Sequence, residues 1–319
     1  MARRPRDASW PADPEPLPHP VPDNHTHLDA VLAETDAVGW RGAVRDGLHE
    51  GVARPELTVA DHLARAAAVG IDRVLTVGCD LPSLAWTLDA VRTHPTVLGA
   101  VAIHPNEAVL HAGVREVAPD GLDPHPRPHH DVPLDEAMAQ VAAAARAEGR
   151  IRAIGETGLD HFRAAERGRA VQREVFRAHL ALAKELGLPV QIHDRDAHEA
   201  VLDVLARDGA PERTVFHCYS GDAAMARFAV GQGWFLSFAG PVTFTSSADL
   251  RAALHEVPPS QLLVETDAPY LAPHPARGRP NAPYLMATTV RAVAAELGRD
   301  LGELCRALEG TAEQVYGPW

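Results

Sequence analysis

Ile151-Arg-Ala-Ile-Gly-Glu156 is followed by an amphipathic run over residues 170–186 and then by Pro189-Val-Gln-Ile-His193. Each flanking segment is short, almost wholly apolar, and ends on a polar side chain. An apolar run of that length reads as a strand buried on both faces, and the helix-period stretch between reads as a crossover. Gly187 supplies the stop signal for the helix. Strand, helix and second strand make one parallel βαβ unit.

The unit repeats in both directions. Strand-like runs occupy residues 72–79, 97–104, 214–217, 234–238 and 262–267, and the segment around His25 and His27 brings the number to eight. Helix-period stretches over 57–69, 134–148, 197–208 and 223–232 lie between them. Eight such units favour an α/β fold closed as a (β/α)8 TIM barrel over an open doubly wound sheet. No Gly-x-Gly-x-x-Gly follows a strand, which counts against dinucleotide binding. The domain plan is an N-terminal arm over residues 1–20, rich in proline and charge and expected to be disordered or loosely attached. A single barrel domain over 21–319 follows, with residues 280–319 as helices closing it. Two long loops, 31–56 and 105–133, follow strands and should border the mouth. The second contains His125-Pro-Arg-Pro-His-His130, read as a solvated loop without fixed geometry.

Composition narrows the function. The 319 residues carry a formal net charge of -13, so no broad basic face exists to track a long polyanion. That counts against a sequence-reading DNA binder but leaves room for a metallonuclease, whose cations provide local attraction. The three cysteines lack a Cys-x-x-Cys spacing, so no disulfide framework is expected. No apolar run is long enough to cross a bilayer, and the N-terminal Met-Ala-Arg-Arg-Pro-Arg lacks an apolar core. The expectation is a cytoplasmic protein with no membrane role and no obligate protein partner.

The chemistry sits at the strand ends. His25 and His27 alternate along an extended segment and therefore share a face. Glu156, His193, His217 and Asp267 each close an apolar run. A single histidine in such a place is ordinarily a hydrogen-bonded structural residue. Six polar groups at matching ends of separate strands are hard to reconcile with core packing, because buried charge and imidazole are costly without partners. Four imidazoles and two carboxylates suit two divalent metal ions, of zinc, manganese or nickel, with magnesium also compatible. A cation pair can stabilise both the attacking and the leaving oxygen, so the reaction class is hydrolysis.

The chain resembles the TatD-family metal-dependent hydrolases, a branch of the amidohydrolase-like barrels. The matching motifs are Asp23-Asn-His-Thr-His-Leu-Asp29, Ala102-Ile-His-Pro105, Gly155-Glu-Thr-Gly-Leu-Asp160 and Gln191-Ile-His-Asp-Arg195. Phe216-His-Cys-Tyr-Ser-Gly221 and Glu265-Thr-Asp-Ala-Pro-Tyr-Leu-Ala-Pro273 complete them, so the similarity runs over roughly residues 22–316. The resemblance implies DNase activity, often 3′–5′ exonucleolytic, on DNA ends or short single-stranded DNA. It also implies His25, His27, Glu156 and Asp267 around one metal, and Glu156, His193 and His217 around the second. Asp267 would additionally accept the proton of the attacking water, making Asp267 and Glu156 the catalytic pair. Many related amidohydrolases bridge their metals with a carboxylated lysine. The single lysine here, Lys184, lies in a helix-period stretch, so Glu156 must serve instead.

Beyond these groups, His104, Arg195, Arg277, Arg279 and Asn281 are candidates for substrate contact. For His104 a structural hydrogen bond is an equal alternative, and Arg195 is read as pairing with Asp160. His161 stands where the family carries tyrosine, and the two long loops enlarge the rim that selects substrate. A small-molecule ester, lactone or amide is therefore the alternative substrate. A non-catalytic metal-binding protein is a third reading, disfavoured by the complete ligand set.

Overall fold

The computed structural model describes residues 9–35 and 57–319. Eight parallel strands pair in sequence order: β1 (Asp23–Thr26), β2 (Val74–Gly78), β3 (Val97–Val101), β4 (Ile151–Asp160), β5 (Val190–Arg195), β6 (Thr214–Phe216), β7 (Phe235–Phe238) and β8 (Leu262–Val264). Just beyond β8, the Asp267 amide donates to the His25 carbonyl (3.0 Å) and the His27 amide donates to Ala268 (2.8 Å). These two bonds join the last strand to the first and complete the ring. The expected TIM barrel is the fold observed.

The helices are α1 (Leu28–Thr35), α2 (Val59–Ala68), α3 (Leu81–Thr93), α4 (Pro105–His111), α5 (Leu134–Ala147), α6 (Glu166–Leu186), α7 (His198–Asp208), α8 (Ala223–Gly231), α9 (Ala248–Leu254), α10 (Met286–Glu296) and α11 (Leu301–Tyr316). Several begin on a side chain that accepts an otherwise unpaired amide: Thr58 for α2, Asp80 for α3, Asp222 for α8 and Asp300 for α11. Each such cap is worth about 1 kcal/mol. α6 ends on Gly187 in the left-handed conformation (φ 62°), as its sequence signal required.

Alternation along the strands sorts the core into two layers. Leu75, Val77, Leu98 and Ala100 point into the barrel, where they meet Val315 and Tyr316 of α11. Their neighbours Val74, Val97 and Val101 face the surrounding helices. α11 covers the end where the strands begin: Arg73, one residue before β2, pairs with Glu309 and with Glu313. The opposite mouth is left for chemistry. β4 is the longest strand, and Gly158 in it has φ 144°. A Cβ there would fall 2.0 Å from the His193 carbonyl, so glycine permits β4 and β5 to approach at the site.

Two expectations need correction. The proline-rich arm is held to the barrel from Ser9 onward, residues 1–8 lying outside the described residues. Arg65 donates to the Pro11 carbonyl (2.8 Å), Arg291 to Pro16 (2.7 Å) and Arg279 to Ser9 (3.1 Å), while Leu17 is buried. Proline lacks an amide donor but keeps its carbonyl, and Arg65 and Arg291 use two such carbonyls as acceptors. The stretch 105–133 is likewise no solvated loop. It contains α4 and a 3-10 turn at Pro128–Asp131, and His130 is buried. Of the other long loop, residues 36–56 lie outside the described residues.

Candidate metal centre

Strand geometry brings the six groups named from the sequence to one point, with Glu156 in the middle. His217 Nε2 stands 2.8 Å and His193 Nδ1 2.5 Å from Glu156 Oε1. His25 Nε2 and His27 Nε2 each lie 3.7 Å from Glu156 Oε2. Asp267 Oδ1 approaches the same two imidazoles at 3.8 and 3.3 Å. His25 and His217 stack with ring centroids 4.0 Å apart. Asp267 and Cys218 hold left-handed backbones (φ 50° and 41°), uncommon for residues with a side chain and concentrated at functional sites.

The tautomers fit a cation. His25 Nδ1 donates to Gln191 Oε1 (3.1 Å), which leaves a lone pair on Nε2. That Nε2 is buried and has no hydrogen-bond partner among the described residues. His27 Nδ1 donates to the Val77 carbonyl (3.3 Å) and His217 Nδ1 to Glu265 Oε1 (3.3 Å), so their Nε2 atoms also face the cluster. An imidazole ligand whose far nitrogen is fixed by a carbonyl or carboxylate is the usual arrangement around a metal.

Charge in the cluster is unbalanced towards the carboxylates. Burial would raise the Glu156 carboxyl, but its imidazole neighbours, His217 foremost, hold it well below the usual carboxylate range. Burial opposes a charged His27, yet Asp267 and Glu156 outweigh it and lift that imidazole to about 10. His193 is lifted to about 9 against the same burial by Glu156 and Asp160. His25 moves the other way, lowered by burial and by the charge of His217, and so stays a neutral donor of its lone pair. The carboxylates thus draw positive charge into a largely buried cluster, which is what a divalent ion supplies.

Three supporting residues escaped sequence reading: Asp23, Gln191 and Glu265. Each precedes a candidate ligand by two positions, so strand period alone places it on the same face. Gln191 also donates to the Asn24 carbonyl (2.7 Å) and to Tyr316 (2.8 Å). Asp23 accepts from Thr266, and burial raises its carboxyl to about 8. Cys79 was also missed: its Sγ is 3.5 Å from Glu156 Oε2, and burial pushes its thiol up, so it lines the site as a neutral group. Replacing Gln191 by leucine or Glu265 by glutamine is expected to weaken divalent-metal affinity by about 10–100-fold. Competition against a chromophoric chelator measures it, and unchanged affinity would remove these residues from the site.

The substrate candidates separate. His104 joins the cluster, with Nε2 3.5 Å from Glu156 Oε1 and Nδ1 accepting the Asn106 amide. Arg195 does not pair with Asp160. It stacks over Phe162 at 4.1 Å, while Asp160 takes Asn106 (2.9 Å) and His193 (3.3 Å). Arg277 is exposed and lies over Phe244 at 4.5 Å. Arg279 is spent on Ser9 and Trp10. Asn281 is buried and donates to Thr266 (3.0 Å) and Tyr270 (2.5 Å), so it fixes the loop that carries Asp267.

A parallel barrel with imidazoles and carboxylates gathered at its C-terminal mouth defines a metal-dependent hydrolase. The particular family is shown by comparison. The family model for TatD related DNase matches residues 22–317, and the chain belongs to that family. A Mycobacterium tuberculosis protein named as an uncharacterized metal-dependent hydrolase, TatD, is 39% identical over 299 residues, covering 92% of this chain and 97% of the relative. The Bacillus subtilis uncharacterized metal-dependent hydrolase YabD is 31% identical, covering 82% and 85% respectively. Among solved structures, the Escherichia coli TatD homolog YJJV superposes with a TM-score of 0.73 at 22% identity, covering 94% of this chain and 98% of that one. No helix among the described residues is long and apolar enough to cross a membrane.

Proposed function

We propose that the chain is a phosphodiester hydrolase acting on DNA ends or short single strands, with 3′–5′ polarity as the family would suggest. His25, His27, Glu156 and Asp267 would hold one divalent cation, and Glu156, His193 and His217 a second. Bound there, such ions supply Lewis acidity and a more acidic water. Asp267 lies at the open edge of the cluster, suited to accept the proton that the attacking water gives up. His104, whose Nε2 carries a proton while Nδ1 accepts Asn106, offers a donor on the other side of Glu156.

The observation that carries the nucleic-acid reading is Tyr270. Its ring is 47% exposed and lies edge-on to His27 with centroids 5.9 Å apart. Its backbone is tied down by Asn281 and by Asp267. A rigid aromatic ring beside the reacting centre suits the face of one terminal base, and Arg277 on the same loop provides a guanidinium for phosphate. The cleft lined by His198, Glu199, Asp222 and Asp249 holds no arginine or lysine among the described residues, so it offers a long strand little favourable track.

The test is end-labelled single-stranded oligonucleotide on metal-reconstituted protein, run beside a panel of esters, lactones and amides. Stepwise release of nucleotides is expected, and Tyr270→Ala should raise KM about tenfold while changing kcat less. Intact oligonucleotide alongside rapid lactone or amide turnover would overturn the reading in favour of a small-molecule hydrolase.

A further inference from the structure

We propose that the insertion between β3 and β4 builds a separate, accessory divalent-cation site at the rim, with Glu107, His129 and Asp80 as donors and His130 positioning Glu107. Glu107, His129 and His130 place one donor atom each within 4.8 Å of one another. His129 Nε2 lies 3.1 Å from Glu107 Oε2 and 3.9 Å from Asp80 Oδ2, so two carboxylates bracket one imidazole nitrogen. Donors about 2.1 Å from a tetrahedral ion stand about 3.4 Å apart, which the first separation approaches and the second reaches with a small side-chain rotation.

The roles of the two adjacent histidines differ. His130 Nδ1 accepts the Arg127 amide (2.7 Å), so its proton is on Nε2, which donates to Glu107 Oε2 (2.6 Å). Burial keeps this imidazole neutral. His130 therefore fixes the carboxylate and does not ligate. Among the described residues, His129 Nε2 is hydrogen-bonded to Glu107 alone (3.1 Å), a contact that a cation between the two would replace.

His111 is the independent observation. Its ring packs against both imidazoles, with centroids 5.0 Å from His130 and 5.9 Å from His129. Its Nδ1 donates to the Val132 carbonyl (2.8 Å), which leaves a lone pair on Nε2. That atom is buried in a residue 6% exposed and has no hydrogen-bond partner. A buried imidazole lone pair packed against His129 and His130 calls for a donor, and water on a cation held by Glu107 and His129 is one. An imidazole with two carboxylates selects a borderline divalent ion of the zinc or manganese class. Asp80 caps α3 and follows Cys79, which touches Glu156, so the accessory ion would fasten the insertion beside the mouth.

The experiment counts metal. Metal-stripped full chain and its Glu107→Gln/His129→Gln variant are dialysed against zinc and analysed for bound equivalents. The wild type should hold one equivalent more than the variant, whose circular dichroism and metal-free melting match the wild type. Equal counts overturn the proposal and leave a hydrogen-bonded cluster only. Should the variant fail to fold, zinc-edge anomalous scattering from zinc-soaked crystals of the unaltered chain decides. A peak between Glu107, His129 and Asp80 supports the site, and no peak there overturns it. Neither readout depends on what the main centre hydrolyses.

Discussion

Glu156→Gln is expected to lower the rate of hydrolysis by at least about 10³-fold, the scale seen when a preorganised charge is removed from a reaction centre. Glu156 is the one carboxylate within reach of His25, His27, His104, His193 and His217 together. Glutamine keeps the volume but brings an amide donor where only acceptors serve a cation. Metal retained after dialysis should fall in parallel, while the metal-free variant keeps the barrel's circular dichroism. Asp267→Asn gives the informative contrast. If Asp267 mainly takes a proton, its variant keeps most of the metal yet loses turnover. A Glu156→Gln enzyme retaining more than a tenth of wild-type activity would disprove the central role of this carboxylate.

Removing divalent metal with a chelator is expected to lower the melting temperature by about 10 °C. A ligand present at about 1,000 times its dissociation constant adds about 4 kcal/mol to the folded state. For a chain of this size each kcal/mol moves the midpoint by about 1.5 °C, so two such ions together shift it by about 10 °C. The physical source is the cluster itself, where buried carboxylates and imidazoles meet with His25 Nε2 unpartnered. Differential scanning calorimetry with and without chelator measures the shift, and re-addition of zinc or manganese should restore it. A melting curve indifferent to the chelator would show that no cation contributes to folding.

The barrel and the main cluster were legible because both obey a short period. Apolar runs ended on His25, His27, Glu156, His193, His217 and Asp267, and a parallel sheet places such ends at one rim. The same period of two could have yielded Asp23, Gln191 and Glu265 as supports. Residues in connections follow no period, and there the sequence misleads. Arg279 and Asn281 follow Asp267 closely, but one is spent on Ser9 and the other on holding its own loop. Their directions are set by partners that no local pattern names. Composition failed in a similar way at the N-terminus. Proline and charge signalled looseness, while the arginines that anchor that segment, Arg65, Arg279 and Arg291, lie far along the chain. His129 and His130 were read as solvent-facing for the same reason: the fold of an insertion is decided by what it lands on.

Tyr316, the last residue of α11, carries the support of the metal-facing cluster to the opposite end of the barrel. Its hydroxyl accepts from Gln191 and donates to Asn24, and Gln191 in turn steadies the ring of His25. Without the Tyr316 hydroxyl, one buried amide hydrogen of Gln191 and the side-chain carbonyl of Asn24 lose their partner, and the support of the first imidazole slackens. A helix packed at the closed end of the barrel is thereby the brace for the opening strand's metal-facing edge.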